Sequence, residues 1–284
     1  MSGAGMLILS PDGLLLRLIA DASIWDVIFY RSIFISIALA IYMLFRDKRP
    51  LPSIWRSLGK AGWFSTILMA ASGLSFVTAI DNTSIANTLI LVATMPLFSA
   101  VLGWLIIGEA VKPRTWVSIV LALSGIFILF SGSFGDGHWL GDSLAIFTAF
   151  LQGLNLVVLR KVRDRNITVP ALCISGLMAA LVAFPMAQPL AVSVADMGYL
   201  MLMGFIIIPV SLVLFLGGAR YAPAAEVALL SLVETVLGPF WAWIGVGEVP
   251  STMAIIGGGI VISAVASNAW FGIRGSRTPV QMNA

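Results

Sequence analysis

Charge is scarce in this chain. Asp, Glu, Lys and Arg make up 10% of its 284 residues while hydrophobic residues make up 60%, against about 25% and about 45–50% in soluble domains. That composition excludes a single soluble domain. The one cysteine, Cys173, lies in an apolar stretch, which excludes an intramolecular disulfide and any cysteine-built zinc or iron–sulfur site. No G-x4-G-K-[ST] phosphate loop is present, and no connection is long enough for a nucleotide-binding domain, so this chain alone does not pump with ATP. H-E-x-x-H and G-x-S-x-G are also missing, which argues against an intramembrane hydrolase. The expectation is a non-enzyme with no cofactor, no metal and no nucleic-acid partner; its modest excess of 16 Lys+Arg over 13 Asp+Glu bears on membrane orientation.

Long apolar runs are what the sequence does have. A bilayer-crossing helix needs about 20 mostly apolar residues, and the chain divides into ten such stretches, near 2–20, 24–45, 61–80, 84–107, 113–131, 141–160, 169–190, 196–218, 223–246 and 251–271. Polar or Pro/Gly clusters such as RDKRPLPS, GEAVKPR and RKVRDRN separate them. The first stretch is not read as a cleaved signal, because it has no basic leader and Asp12 and Arg17 interrupt it. The predicted fold is an all-α integral membrane protein of ten transmembrane helices.

Basic residues orient the spans. Arg46, Lys48, Arg49, Arg56 and Lys60, then Lys112 and Arg114, then Arg160, Lys161, Arg163 and Arg165, then Arg220, then Arg274 and Arg277 all fall at alternate connections or after the last span. The remaining connections carry Asp21, Asp26, Asp81, Asp136, Asp142, Asp196, His138 and Glu248. This segregation predicts both termini in the cytoplasm. Short loops and the lack of a targeting tail suggest a prokaryotic inner (plasma) membrane.

An internal repeat accompanies the spans. A shift of 139 residues lays 85–109 over 224–248 and aligns Ala86 with Ala225, Leu91 with Leu230, Trp104 with Trp243, Gly108 with Gly247 and Glu109 with Glu248. The shared W-x3-G-E ending is its most specific part. With five spans in each copy, 1–137 and 138–284, the copies are predicted to be inverted, with a site between them.

These features resemble the EamA-type branch of the drug/metabolite transporter superfamily. The resemblance rests on the two-copy layout, on SPDGLLLRLI (10–19) followed by DVIFYRSIFISIALAIYML (26–44), and on LVETVLGPFWAWIGVGE (232–248). It implies a carrier of small metabolites, often an exporter of amino acids or related compounds, with helices around a central cavity. A receptor or assembly factor that kept the bundle but lost the cavity is the alternative from another class.

Ionisable groups inside hydrocarbon need a partner, a wet cavity or a function. Glu234 lies deepest and shares a helical face with Ser231, Gly238 and Trp241; it is read as a cavity carboxylate that binds a substrate amine or exchanges a proton, or as a buried acid held by a neighbour. Arg31 either takes a substrate carboxylate, pairs with Asp26 or Asp12, or snorkels outward. Asp12, after Pro11, is a second candidate for proton coupling, and Arg17 reads as an interfacial anchor. Thr148, Gln152 and Asn155 form a polar stripe that lines a solvated path or bonds between helices. Asn87, Thr94 and Phe98 share a comparable face, and Trp241 is available to close over a ligand. The expected substrate-binding set is therefore Glu234, Gln152, Asn155, Thr148, Asn87, Arg31 and Trp241. Pro96 and Pro239 read as kinks, and Gly257, Gly258, Gly259, Ser263 and Ser267 as a packing stripe that serves the bundle or a homo-oligomer. The expected partners are the lipid bilayer, a small-molecule substrate and, where transport is coupled, protons.

Overall fold

The computed structural model describes residues 2–47, 55–56, 58–108, 111, 113–161, 167–188, 192–219 and 224–276. The chain is helical, with no strand among the described residues. In chain order the helices are α1 (Ser2–Leu9), α2 (Asp12–Leu18), α3 (Ile24–Asp47), α4 (Gly59–Asn82), α5 (Ile85–Val92), α6 (Met95–Ile107), α7 (Pro113–Asp136), α8 (Trp139–Lys161), α9 (Thr168–Ala183), α10 (Val194–Met201), α11 (Ile208–Ala219), α12 (Ala224–Val246) and α13 (Thr252–Ser276). A π-helical turn, Leu202–Ile207, joins α10 to α11.

Among the described residues, six helical stretches are long and apolar enough to cross a membrane: Ile24–Arg46, Gly59–Asn82, Ile85–Ile107, Pro113–Ser131, Trp139–Lys161 and Val194–Leu214. Shorter apolar helices cover Thr168–Ala183, Val233–Val246 and Thr252–Asn268. Large apolar side chains point away from the bundle, with Phe127 75% and Leu181 73% exposed. Small polar ones such as Ser65, Thr66, Thr88 and Ser211 are fully enclosed. Such an apolar exterior suits lipid, where every backbone group must be satisfied within the protein. The chain is a multi-pass membrane protein.

Proline sets where the helices break. Pro11 separates α1 from α2, and Ser10 Oγ turns back onto the Leu7 carbonyl at 2.9 Å. Pro96 lies in the first turn of α6, where its missing N–H costs nothing; it starts a new helix after α5 ends at Val92. The π turn stands just before Pro209, whose ring displaces the preceding helical ladder. Pro239, by contrast, sits within the continuous helix α12.

Helix pairing is specific. α4 packs along α8, α1 along α11, α3 against α9, and α7 against α13. α5 and α6 lie on α8, and α12 lies on α1, α2, α5 and α13. At the α7–α13 crossing a Cβ on Gly125 would stand 2.6 Å from the Gly257 carbonyl oxygen, and one on Gly257 2.5 Å from that of Gly125, so the backbones meet with no room for a side chain. Gly258 in turn leaves space for Ile90.

Candidate functional site

Two polar assemblies connect these helices. The central one begins at the Ser10–Pro11 break, which places Asp12 at the start of α2 with 2% exposure. Arg31, two turns into α3, donates from Nη2 to Asp12 Oδ2 at 2.6 Å, and the two side chains are 11% and 3% exposed. Both groups retain capacity: Asp12 Oδ1 and Arg31 Nε are buried without a hydrogen-bond partner. Glu234 lies on α12, the helix that packs on α1 and α2 beside this pair.

The same face of α12 explains that approach. Gly238 stands against Leu89 and 3.9 Å from the Ser10 carbonyl oxygen, measured from where a Cβ would be. One turn on, Trp241 Nε1 donates to Ser10 Oγ at 3.0 Å. Glu234, Gly238 and Trp241 are spaced i, i+4 and i+7, so Glu234 shares the face of α12 that docks on the α1–α2 break through Gly238 and Trp241. A helix from late in the chain thus docks beside an ion pair built entirely from its first 31 residues.

The second assembly gathers at one end of the bundle, where the connections rich in acids converge. Arg17 Nε bonds Glu248 Oε2 at 3.1 Å, and Arg17 Nη2 donates to the Thr83 carbonyl. Glu248 Oε1 accepts from the backbone N–H of Ile85 at 2.6 Å, so the carboxylate caps α5 from outside its own helix. Thr83 Oγ1 donates to Asp142 Oδ1 at 2.7 Å, and Asn87 Nδ2 reaches the same oxygen at 3.2 Å. His138 Nδ1 lies 3.1 Å from the Asn82 carbonyl. Asp196 accepts from the backbone N–H groups of Ala20, Asp21 and Ala22, and Asp26 from Ser23 Oγ and the Gln188 N–H. A cavity of about 310 Å³ lined by Arg17, Asp81, Asn82, Thr83, Ser84, His138 and Glu248 opens here. A smaller one of about 150 Å³ runs between Leu16, Arg17, Val27, Val77 and Ile80. Neither is lined by Glu234 or Gln152.

The residues singled out in the sequence therefore separate. Asp12 and Arg31 pair, and Trp241 docks on Ser10 beside them, with Glu234 two turns earlier on the same helix. Asn87 belongs to the acid-rich end, with its amide on Asp142. Thr148 is fully buried, its hydroxyl on the Leu144 carbonyl at 2.9 Å, and Asn155 accepts from Ser65 Oγ at 2.5 Å across the α4–α8 seam. Gln152, between them on α8, is partly buried. Thr94 closes the α5–α6 break by bonding the Leu91 carbonyl at 2.6 Å, while Phe98 meets Phe150 edge-on. The side chain of Ser231 and all of Glu109 lie outside the described residues. Sequence reasoning missed the cross-chain roles of Glu248, Asp142 and Asp196; the available signal was the collection of acids at alternate connections. Among the described residues no group of three His, Cys, Asp or Glu is placed to hold a metal.

Comparison with known proteins agrees with this architecture. The chain is 25% identical over 247 residues to the uncharacterized transporter YwfM of Bacillus subtilis (strain 168), covering 79% of this chain and 83% of that protein. It is 23% identical over 226 residues to the uncharacterized transporter sll1164 of Synechocystis sp., covering 72% of this chain and 64% of the relative. A protein of known crystal structure shares the fold with a TM-score of 0.68 at 15% identity, over 94% of this chain and 95% of its own. The EamA-like transporter family matches twice, at residues 13–131 and 139–270. The chain belongs to the EamA-like transporter family, whose members are transporters rather than enzymes.

Proposed function

We propose that the protein is a secondary carrier, working as an exporter of small polar or zwitterionic metabolites such as amino acids, with ten spans arranged as two inverted five-helix copies (1–137 and 138–284). The acid-rich end faces outward, and both termini are cytoplasmic in an inner membrane. Several features support the inversion. Exchanging each span with its counterpart five spans later turns the α4–α8 pairing into α11–α1 and the α6–α8 pairing into α12–α1, and leaves α3–α9 and α7–α13 unchanged. The two W-x3-G endings share a backbone form: Gly108 and Gly247 are both left-handed, with φ 71° and 70°, and their N–H groups bond the carbonyls of Trp104 and Trp243 at 3.2 and 3.1 Å. Glycine takes this helix-ending conformation without strain. The two family matches fall one in each half.

The observation that carries the reading is the docking of the Glu234 helix, from the second copy, through Gly238 and Trp241 onto the break beside the Asp12–Arg31 pair of the first. A carrier that alternates access moves one copy against the other around such a site. Glu234 supplies the anion for a substrate amine or a transported proton, and Arg31 the fork for a carboxylate. The test is reconstitution in liposomes loaded with a mixed amino-acid and metabolite pool, with release measured with and without a pH gradient. Selective release, reduced at least tenfold by Glu234→Gln, is expected. Absence of selective flux contradicts the carrier, and parental flux in the variant removes Glu234 from the site. Dependence on the gradient separates proton coupling from facilitated diffusion.

A further inference from the structure

We propose that Arg17 and Glu248 form a charged latch that closes the outer end of the pathway and opens with each cycle. The proposal rests on the carrier reading and goes beyond it by naming the contact that must break. Among the described residues two salt bridges occur, and only this one joins the two halves of the chain. Glu248 holds three groups together: the guanidinium of Arg17 at the end of α2, the first N–H of α5 through Ile85, and its own connection between α12 and α13. Arg17 extends the closure to the Thr83 carbonyl, and Thr83 in turn holds Asp142 at the start of α8.

Its placement suits a contact that yields. The side chains of Arg17 and Glu248 are 30% and 21% exposed, so water replaces their mutual contact as they part, and neither charge is stranded in apolar surroundings. The cavity bounded by Asp81, Ser84, His138 and the latch itself lies at this end. Ser10, at the helix break beside the Asp12–Arg31 pair, is 2% exposed and seven residues from Arg17, about 10 Å along a helix axis. The same helices meet again at Ser10, where α12 packs on α1 and α2 and Trp241 Nε1 donates to Ser10 Oγ.

The test reads accessibility, which needs no known substrate. In a Cys173→Ala background, Ser10→Cys is exposed to a membrane-impermeant maleimide from the outer face of intact cells and from the inner face of inverted vesicles. Outer-face labelling is expected to rise at least fivefold with Glu248→Gln, which keeps an acceptor for Ile85 but loses the charge, and further with Glu248→Ala, which loses both. Arg17→Gln combined with Glu248→Gln should not exceed the larger single effect, since both break one contact. Should Arg17→Gln fail to accumulate in the membrane, Arg17→Lys gives the same direction at smaller amplitude. Unchanged outer labelling overturns the latch, as does an equal rise from both faces, which means general loosening. A parent that transports nothing while the labelling still shifts counts against the carrier reading and leaves the outer closure standing.

Discussion

The two ion pairs among the described residues differ in burial, span and purpose. Asp12–Arg31 is nearly sealed, joins α2 to α3, and retains an unpartnered atom on each side. Arg17–Glu248 is partly exposed, joins residues 231 apart in sequence, and has its remaining bonds made to backbone. Taking two charges out of water is expensive, and a buried pair that loses one member leaves an uncompensated charge. A partly wet pair can part at little cost. The difference teaches that the central pair is a fixed fixture, suited to a site, while the peripheral one is suited to a reversible closure.

The comparison breaks most sharply on stability. Arg31→Gln or Asp12→Asn alone should lower unfolding stability in lipid nanodiscs by about 3–5 kcal/mol, and the double variant by less than either single one. Losses that simply add would show that the two groups are not a pair. At the Gly125–Gly257 crossing, Gly257→Leu should cost about 1–3 kcal/mol through overpacking, measured by the same unfolding assay; an unchanged midpoint would mean the helices are further apart than described. Arg17→Gln should cost no more than about 1 kcal/mol while changing outer-face labelling several-fold, so that access and stability move independently. The smallest effect expected is Ser65→Ala, which removes one interhelical bond to Asn155, of a kind averaging about 0.6 kcal/mol in membrane proteins.

How far the sequence carried the reading depends on the range of the interaction. Membrane residence followed from composition, and of the two prolines read as kinks Pro96 marks a helix start while Pro239 lies within the continuous helix α12. The related endings at Trp104–Gly108 and Trp243–Gly247 were visible as a spacing, and both stretches end with a left-handed glycine. Partner choice was not visible. Arg31 had Asp26 and Asp12 as equal candidates on spacing alone, but Asp26 is occupied by Ser23 and Gln188, leaving Asp12 for the guanidinium. The face containing Asn87 looked like a pore lining, yet its amide turns to Asp142, a residue in a different span. Glu248 offered only a sequence ending, and its capping of Ile85 depends on a contact 163 residues away. Helical periodicity gives the face of one helix and holds no information about which helix meets it.

The central claim is that Glu234 looks into water shared by the two halves. Glu234→Cys in the Cys173→Ala background, treated in sealed vesicles with a charged, membrane-impermeant thiol reagent and separately with a lipid-soluble one, tests it directly. The account predicts modification by the charged reagent from an aqueous side, slowed by transported substrate. Modification by the lipid-soluble reagent alone would place position 234 against the acyl chains and contradict it.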